Sequence, residues 1–422
     1  MAHAQRQYAA ASGWRGWLEG SLKEKAQATV RELAEGLAVA QGDIPATTLA
    51  EIALFYGYLA EAQRDAVMAE HGLRYLNAAI DKVGRASLPP SFVSGYPQVG
   101  WVITQLAGRL FEPREADACV AIDEALRAYL QRLPQPAHFD LISGLAGVGV
   151  YALARMPAPS AAACLALTIQ HLAERAERDQ HGVTWHTPPS LLPEWQRQIC
   201  PAGYYNLGLA HGVPGVIAFL ARACGVAAVS KTAHALLEDA VRWMLAHAGE
   251  ADGVPFFPNW VAPEVDRHRS RVAWCYGDLG AALALLYAAR CVGRPDWEAQ
   301  ALPILRYAAR NRGATAGVRD AGLCHGAAGN AHLFNRIYQA TGEPLFQDAA
   351  GYWYAQVFDF HRPQTGIAGF TPYRPEDAEP GTWTEDADMF NGAVGIGLSL
   401  LAAISETAPA WDECLLVSLP PR

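Results

Sequence analysis

Two cysteines stand just ahead of the first glycine of two similar turns, Trp274-Cys275-Tyr276-Gly277 and Leu323-Cys324-His325-Gly326. Two thiolates and one imidazole are a good donor set for zinc, with three protein ligands and an open fourth position. Sulfur ligands favour zinc over magnesium or calcium, and zinc adds no redox chemistry. The two cysteines are 49 residues apart and Cys-His is an ordinary dipeptide, so spacing leaves open two buried thiols beside a hydrogen-bonded histidine. An open position on zinc has a use. A free thiol is only a few per cent thiolate at neutral pH, and coordination removes its proton. Such a site suits thiol activation as well as water activation.

Three more turns present polar groups. His211 directly precedes a glycine in Leu209-Ala-His-Gly-Val-Pro-Gly215. It is a candidate general acid or base, or else a helix cap or a partner of a backbone carbonyl. Asp140 lies four residues ahead of Gly144, where it can orient His211, protonate an intermediate or cap a helix. Arg271, four residues before Cys275, can hold an enolate or a carboxylate. Tyr276 can donate a hydrogen bond near the metal or simply pack. Asn391 and Asp388 precede the last turn without an assigned role.

These residues share one kind of turn. Gly-x-x-Gly followed by an apolar stretch occurs at Gly144, Gly212, Gly277, Gly326 and Gly392, with a degenerate copy at Gly95, where Gln98 replaces the second glycine. A weaker copy begins near Thr48, and successive starts are 47, 49, 68, 65, 49 and 66 residues apart. The shorter intervals fit a helix pair, and the longer ones must carry insertions. The stretches after the turns are apolar all round, as in 213–223 and 279–289, which marks interior helices. Seven such pairs, spanning about 44–404, predict an all-α fold: an α/α toroid with seven inner and seven outer helices in one domain over 1–422. An open stack would give the same period. Segments 181–203, 252–263 and 364–382 have loop composition and are expected over the end where the turns gather, forming a mouth for a flexible peptide.

Composition narrows the function. The net charge of −9, from 33 basic and 42 acidic residues without a Lys/Arg cluster, excludes a broad nucleic-acid footprint. The short group Arg267, His268, Arg269 and Arg271 suits a carboxylate, a peptide or local ion pairs. No apolar run reaches the roughly 18 residues of a membrane span. The start of the chain lacks the pattern of a signal peptide, so the expected location is cytoplasmic, with the eight cysteines reduced. Cys119, Cys164, Cys224, Cys291 and Cys414 read as small core residues, and Cys200, in a Pro/Gly loop, is undecided.

Taken together, the motifs Asp140-Leu-Ile-Ser-Gly-Leu-Ala-Gly147, Leu209-Ala-His-Gly-Val-Pro-Gly215, Ala273-Trp-Cys-Tyr-Gly277 and Leu323-Cys-His-Gly-Ala-Ala-Gly329 resemble the lanthionine synthetase C-like family. The resemblance implies a Zn2+ ion bound by Cys275, Cys324 and His325, with His211 and Asp140 as acid/base candidates and Arg271 and Tyr276 close by. It implies a lanthipeptide cyclase that adds peptide cysteine thiols to dehydroalanine or dehydrobutyrine, closing (methyl)lanthionine thioether rings. The substrate would be a dehydrated precursor peptide of leader plus core, and a separate dehydratase and an exporter would be partners. At 422 residues the chain reads as a stand-alone cyclase. The alternatives are a zinc protein of the same fold that adds glutathione or another thiol to electrophiles, or a peptide-binding scaffold whose structural zinc takes Cys200 or His211 as fourth ligand. A toroidal glycosidase is disfavoured, since no close carboxylate pair recurs at the mouth.

Overall fold

The computed structural model describes residues 13–39, 41–113, 117–374 and 381–419. Most of the chain start, read above as lacking a signal peptide, and part of the loop 364–382 lie outside the described residues. Among the described residues the fold is an α/α toroid, two concentric rings of seven helices each. The inner helices are Ala46–Gln63, Tyr96–Leu106, Leu145–Ala154, Val213–Ala223, Asp278–Val292, Ala327–Thr341 and Ala393–Ile404. Nearly every residue of Leu145–Ala154, Val213–Ala223 and Ala393–Ile404 is buried, as all-round apolar sequences require. The outer helices are amphipathic. Ala66–Val83 buries only Gly72, Tyr75, Leu76 and Ala79, one face at helical spacing, and Asp65 caps it through Val67 N and Met68 N. Prolines open the outer helices Pro159–Glu174, Pro295–Arg310 and Pro344–Asp359 at the position where a missing N–H costs nothing.

The ring closes in two ways. The last inner helix packs on the first, with Phe55 lying against Gly397, where an added methyl would stand 2.5 Å from the ring. The same device joins Phe219 to Gly149, so single glycines inside helices seat aromatic rings of the neighbouring inner helix. Among the described residues no outer helix follows the last inner helix in sequence. Its partner is Gly20–Ala38, from the other end of the chain, tied on by Trp17 N and Leu18 N donating to Ala403 O at 3.0 and 3.2 Å.

All the glycine turns lie at one end, linked by hydrogen bonds into a circle. Leu323 N and Cys324 N donate to Phe390 O, Trp274 N and Cys275 N to Cys324 O, and Ala210 N to Cys275 O. Leu141 N donates to Ala210 O, and Val93 N to Ile142 O. Between the two degenerate turns, and from the first of them to the last turn, side chains complete the circuit. Gln98 Nε2 donates to Glu51 Oε1 at 2.5 Å, Met389 N donates to Glu51 Oε2 at 3.1 Å, and Ser94 N donates to Gln98 Oε1 at 2.9 Å. Gln98, an irregularity in the repeat, is thus a link in the ring. Burial, together with the charge of Asp388, pushes the Glu51 carboxyl up to about 8, against the bonds from Met389 and Gln98.

The Gly-x-x-Gly spacing has a physical reason within the turn itself. At the Cys275 turn, a β-carbon on Gly277 would strike Arg271 O and one on Gly280 would strike Trp274 O. The chain folds beneath the start of its own helix, and only glycine leaves room. Only Gly277 among the six first glycines uses a left-handed φ, of 90°; the others are extended.

The insertions around 181–203 and 252–263 form small sheets rather than plain loops. His186–Thr187, Tyr204–Asn206 and Trp260–Val261 make one three-stranded antiparallel sheet that joins two insertions, with Asn206 opposite Trp260. From the other end of the bore rises the 3-10 turn Ala410–Leu415. Asp412 there is buried between His332 Nε2 at 2.6 Å and Arg336, and Trp274 Nε1 donates to Leu415 O at 3.0 Å. Among the described residues no helix is long and apolar enough to cross a membrane.

Candidate metal centre

Adjacent turns bring Cys275, Cys324 and His325 together, with their donor atoms all within 4.8 Å of one another. The backbone bonds from Trp274 N and Cys275 N to Cys324 O fix the two turns side by side. Cys275 is buried, while Cys324 and His325 are half-buried toward the mouth. A hydrogen bond from Cys324 holds the Cys275 thiol well below its usual range, against burial and with help from His325 and the charge of Arg271. The same bond and burial push Cys324 up. His325 is raised by its bond to Cys275, against burial. Two cysteine sulfurs and an imidazole gathered this closely fit zinc, whose bonds to sulfur and nitrogen are about 2.3 and 2.0 Å. Neither Cys200 nor His211 joins these clustered donors. Cys200 is buried with Leu192 and Tyr204 in a separate apolar cluster.

His211 sits on the next turn. Its Nδ1–H donates to Asp140 Oδ2 at 2.8 Å, while Asp140 Oδ1 accepts from Ser143 N at 2.7 Å. Asp140 therefore serves its own turn and holds His211 at once. The carboxylate is buried and the imidazole is partly open, its side chain 40% exposed. Burial disfavours the imidazolium, but the bond and charge of Asp140, with the charge of Cys275, raise the His211 pKa.

Tyr276 lies with its ring centroid 6.4 Å from that of His211. Burial pushes its phenol up, against the neighbouring Asn206 amide and Trp260 indole. Arg271 bears electrostatically on Cys275, Cys324 and His325, and among the described residues it has no carboxylate partner. Arg269, from the same basic group, has a structural task. It pairs with Asp278, donates to Ala251 O and Val254 O at 3.2 and 3.1 Å, and lies 3.9 Å from the Tyr307 ring centroid. Asp388 takes the turn amides of Phe390 and Asn391 at 2.7 and 2.8 Å, and burial raises it to about 6.

The structure thus places all seven sequence-derived site residues at the turn end of the toroid. The family model described as "Lanthionine synthetase C-like protein" matches residues 46–416. The chain belongs to the lanthionine synthetase C-like family. Among solved structures it is similar to one titled "Nisin cyclase", with a TM-score of 0.71 and 19% identity, covering 94% of this chain and 98% of that one. A structure titled as a sugar epimerase from a ruminal bacterium aligns at a TM-score of 0.46 and 10% identity, over 85% and 87% of the two chains.

Two features of the family member's site escaped sequence reasoning. Ser143, His211, Tyr276, His325 and Asn391 each stand immediately before a first glycine, and none of them is buried. That register, visible in the alignment of the repeats, marks the positions that face the mouth. Asn206 was also missed. It stands six residues before Gly212 as Asp320 stands before Gly326, and each accepts from the amide two residues on, Gly208 N at 2.8 Å and Gly322 N at 3.0 Å.

Proposed function

We propose that this protein is a lanthipeptide cyclase, forming thioether rings in a dehydrated, cysteine-containing peptide. The observation that carries the reading is the three-donor cluster of Cys275, Cys324 and His325 beside the Asp140–His211 pair. When bound there, zinc would hold a peptide thiol as thiolate, the nucleophile. The remaining work falls to the chain's own residues. The sulfur lone pair forms a C–S bond to the β-carbon of dehydroalanine or dehydrobutyrine, and the C=C π pair moves toward the α-carbon and carbonyl as an enolate. Arg271 and the Tyr276 hydroxyl stabilise that developing negative charge, a role worth about 10²–10³-fold per donor. The thiol releases its proton to solvent as it becomes the thiolate; His211 supplies one to the α-carbon through Nε2, because Asp140 occupies Nδ1, and is reprotonated from solvent. No oxidant or reductant is needed, and peptide mass is unchanged.

The test incubates a dehydrated peptide carrying one cysteine with the protein, then alkylates free thiols and reads the mass. Loss of alkylation at constant mass, with about one zinc per chain, supports the cyclase. Persistent free thiols with bound zinc, and transfer of glutathione to the dehydroamino acid instead, overturn it in favour of intermolecular thiol addition.

A further inference from the structure

Asn206 has no solvent exposure and no place in the three-donor cluster, yet it touches the site. Its side chain has one acceptor and an NH2 group, and the network decides which faces which. Gly208 N–H can only donate, so Oδ1 faces it at 2.8 Å. The NH2 must then face Tyr276, and Nδ2 donates to Tyr276 Oη at 3.0 Å. Trp260 faces Asn206 across the small sheet and helps to bury it. Among the described residues no protein group accepts from Tyr276 O–H. The ring itself is held flat: a methyl at Gly208 would stand 2.6 Å from it and 2.5 Å from Cys275 O. The phenol oxygen thus accepts from Asn206, and its own hydrogen is left for a group outside the protein.

We propose that Asn206 is a positioning residue that fixes the Tyr276 hydroxyl as a hydrogen-bond donor toward the reaction space of the metal pocket. The inference rests on the cyclase reading for what that hydroxyl donates to, the enolate oxygen of the peptide. Asn206 acts through polarity: an acceptor in its place would capture the hydroxyl hydrogen.

Asn206→Asp makes that exchange with little change of shape. One carboxylate oxygen still accepts from Gly208 N, while the other accepts from Tyr276 O–H. In the zinc-loaded protein with a dehydrated peptide, N206D is expected to lower kcat about 10²-fold, matching Tyr276→Phe, with KM nearly unchanged. Asn206→Asp in the Tyr276→Phe background is expected to cost nothing further. An independent readout is the tyrosine Raman doublet, isolated as each protein minus its Tyr276→Phe counterpart. It should move toward the strong-donor pattern in N206D. If N206D does not fold, Asn206→Ser keeps an acceptor for Gly208 N and withdraws the donor from Tyr276, so the doublet should lose its acceptor character. Wild-type kcat in N206D, additive losses in the double variant, or an unmoved doublet would overturn the proposal. If the wild-type protein closes no rings, the cyclase reading fails, and the Raman comparison alone decides the role of Asn206.

Discussion

Asp140 Oδ2 and His211 Nδ1 lie 2.8 Å apart, which leaves Nε2 as the imidazole nitrogen free for chemistry. His211→Ala should lower kcat by about 10²–10⁴-fold while zinc content is unchanged. Asp140→Asn removes the influence that raises His211 against burial, so the alkaline limb of the kcat profile should move to lower pH. The sign for stability follows from the same shift. A raised histidine contributes fully below its unfolded value, and that contribution is lost as pH rises through the folded one. An unmoved alkaline limb in the Asp140→Asn protein would refute the assignment.

Removing a ligand should remove the metal. Cys275→Ala and Cys324→Ala are each expected to abolish stoichiometric zinc, read by elemental analysis after gel filtration. If zinc binds the folded chain as proposed, a chelator should lower the Tm of the wild-type protein and added zinc should restore it. Full zinc content in Cys275→Ala would exclude the proposed ligand set.

Glu51 is the carboxylate that closes the circle of turns. Glu51→Ala leaves Met389 N–H and the Gln98 amide without acceptors, at a cost of about 1–3 kcal/mol for each buried donor. Between the ordinary 4.5 and about 8 the folded chain holds a proton at Glu51 that the unfolded chain has released. Stability therefore falls as pH rises through that window. Urea denaturation at about pH 5 and about pH 8 should show a smaller difference for Glu51→Gln than for the wild type. Equal differences would refute it.

Gly397→Ala puts a methyl into the seat of Phe55 and should cost about 1–3 kcal/mol by overpacking. Phe55→Leu, which frees the space, should recover part of that loss in the double variant, measured by thermal unfolding. Additivity of the two substitutions would show that the seat does not couple the first and last inner helices.

The donor set was legible in the sequence because Cys275, Cys324 and His325 occupy matching places in repeats whose glycines cannot vary without a clash. His211 and Asp140 were legible for the same reason, although their bond was one of several alternatives. The partner of the last inner helix was not. Gly20–Ala38 bears no glycine turn and lies hundreds of residues away, so periodicity gives no hint that it finishes the ring. The sheet holding Asn206 was also hidden, because strands of two and three residues are too short for alternation to register. Gln98 was recognised as a departure from the pattern, but its bond to Glu51 depends on an encounter across 47 residues.

The outer helix supplied from the beginning of the chain also sets an order of events during synthesis. Gly20–Ala38 leaves the ribosome long before Ala393–Ile404, the helix it covers. In an open solenoid each repeat can settle on the one before it, and folding can propagate as the chain grows. Here Gly20–Ala38 waits for the last inner helix, so its apolar face and the lining of the unfinished ring stay uncovered until translation reaches the last repeat. The nascent chain therefore passes through a long, sticky, incomplete stage, the stage at which chaperones hold larger proteins.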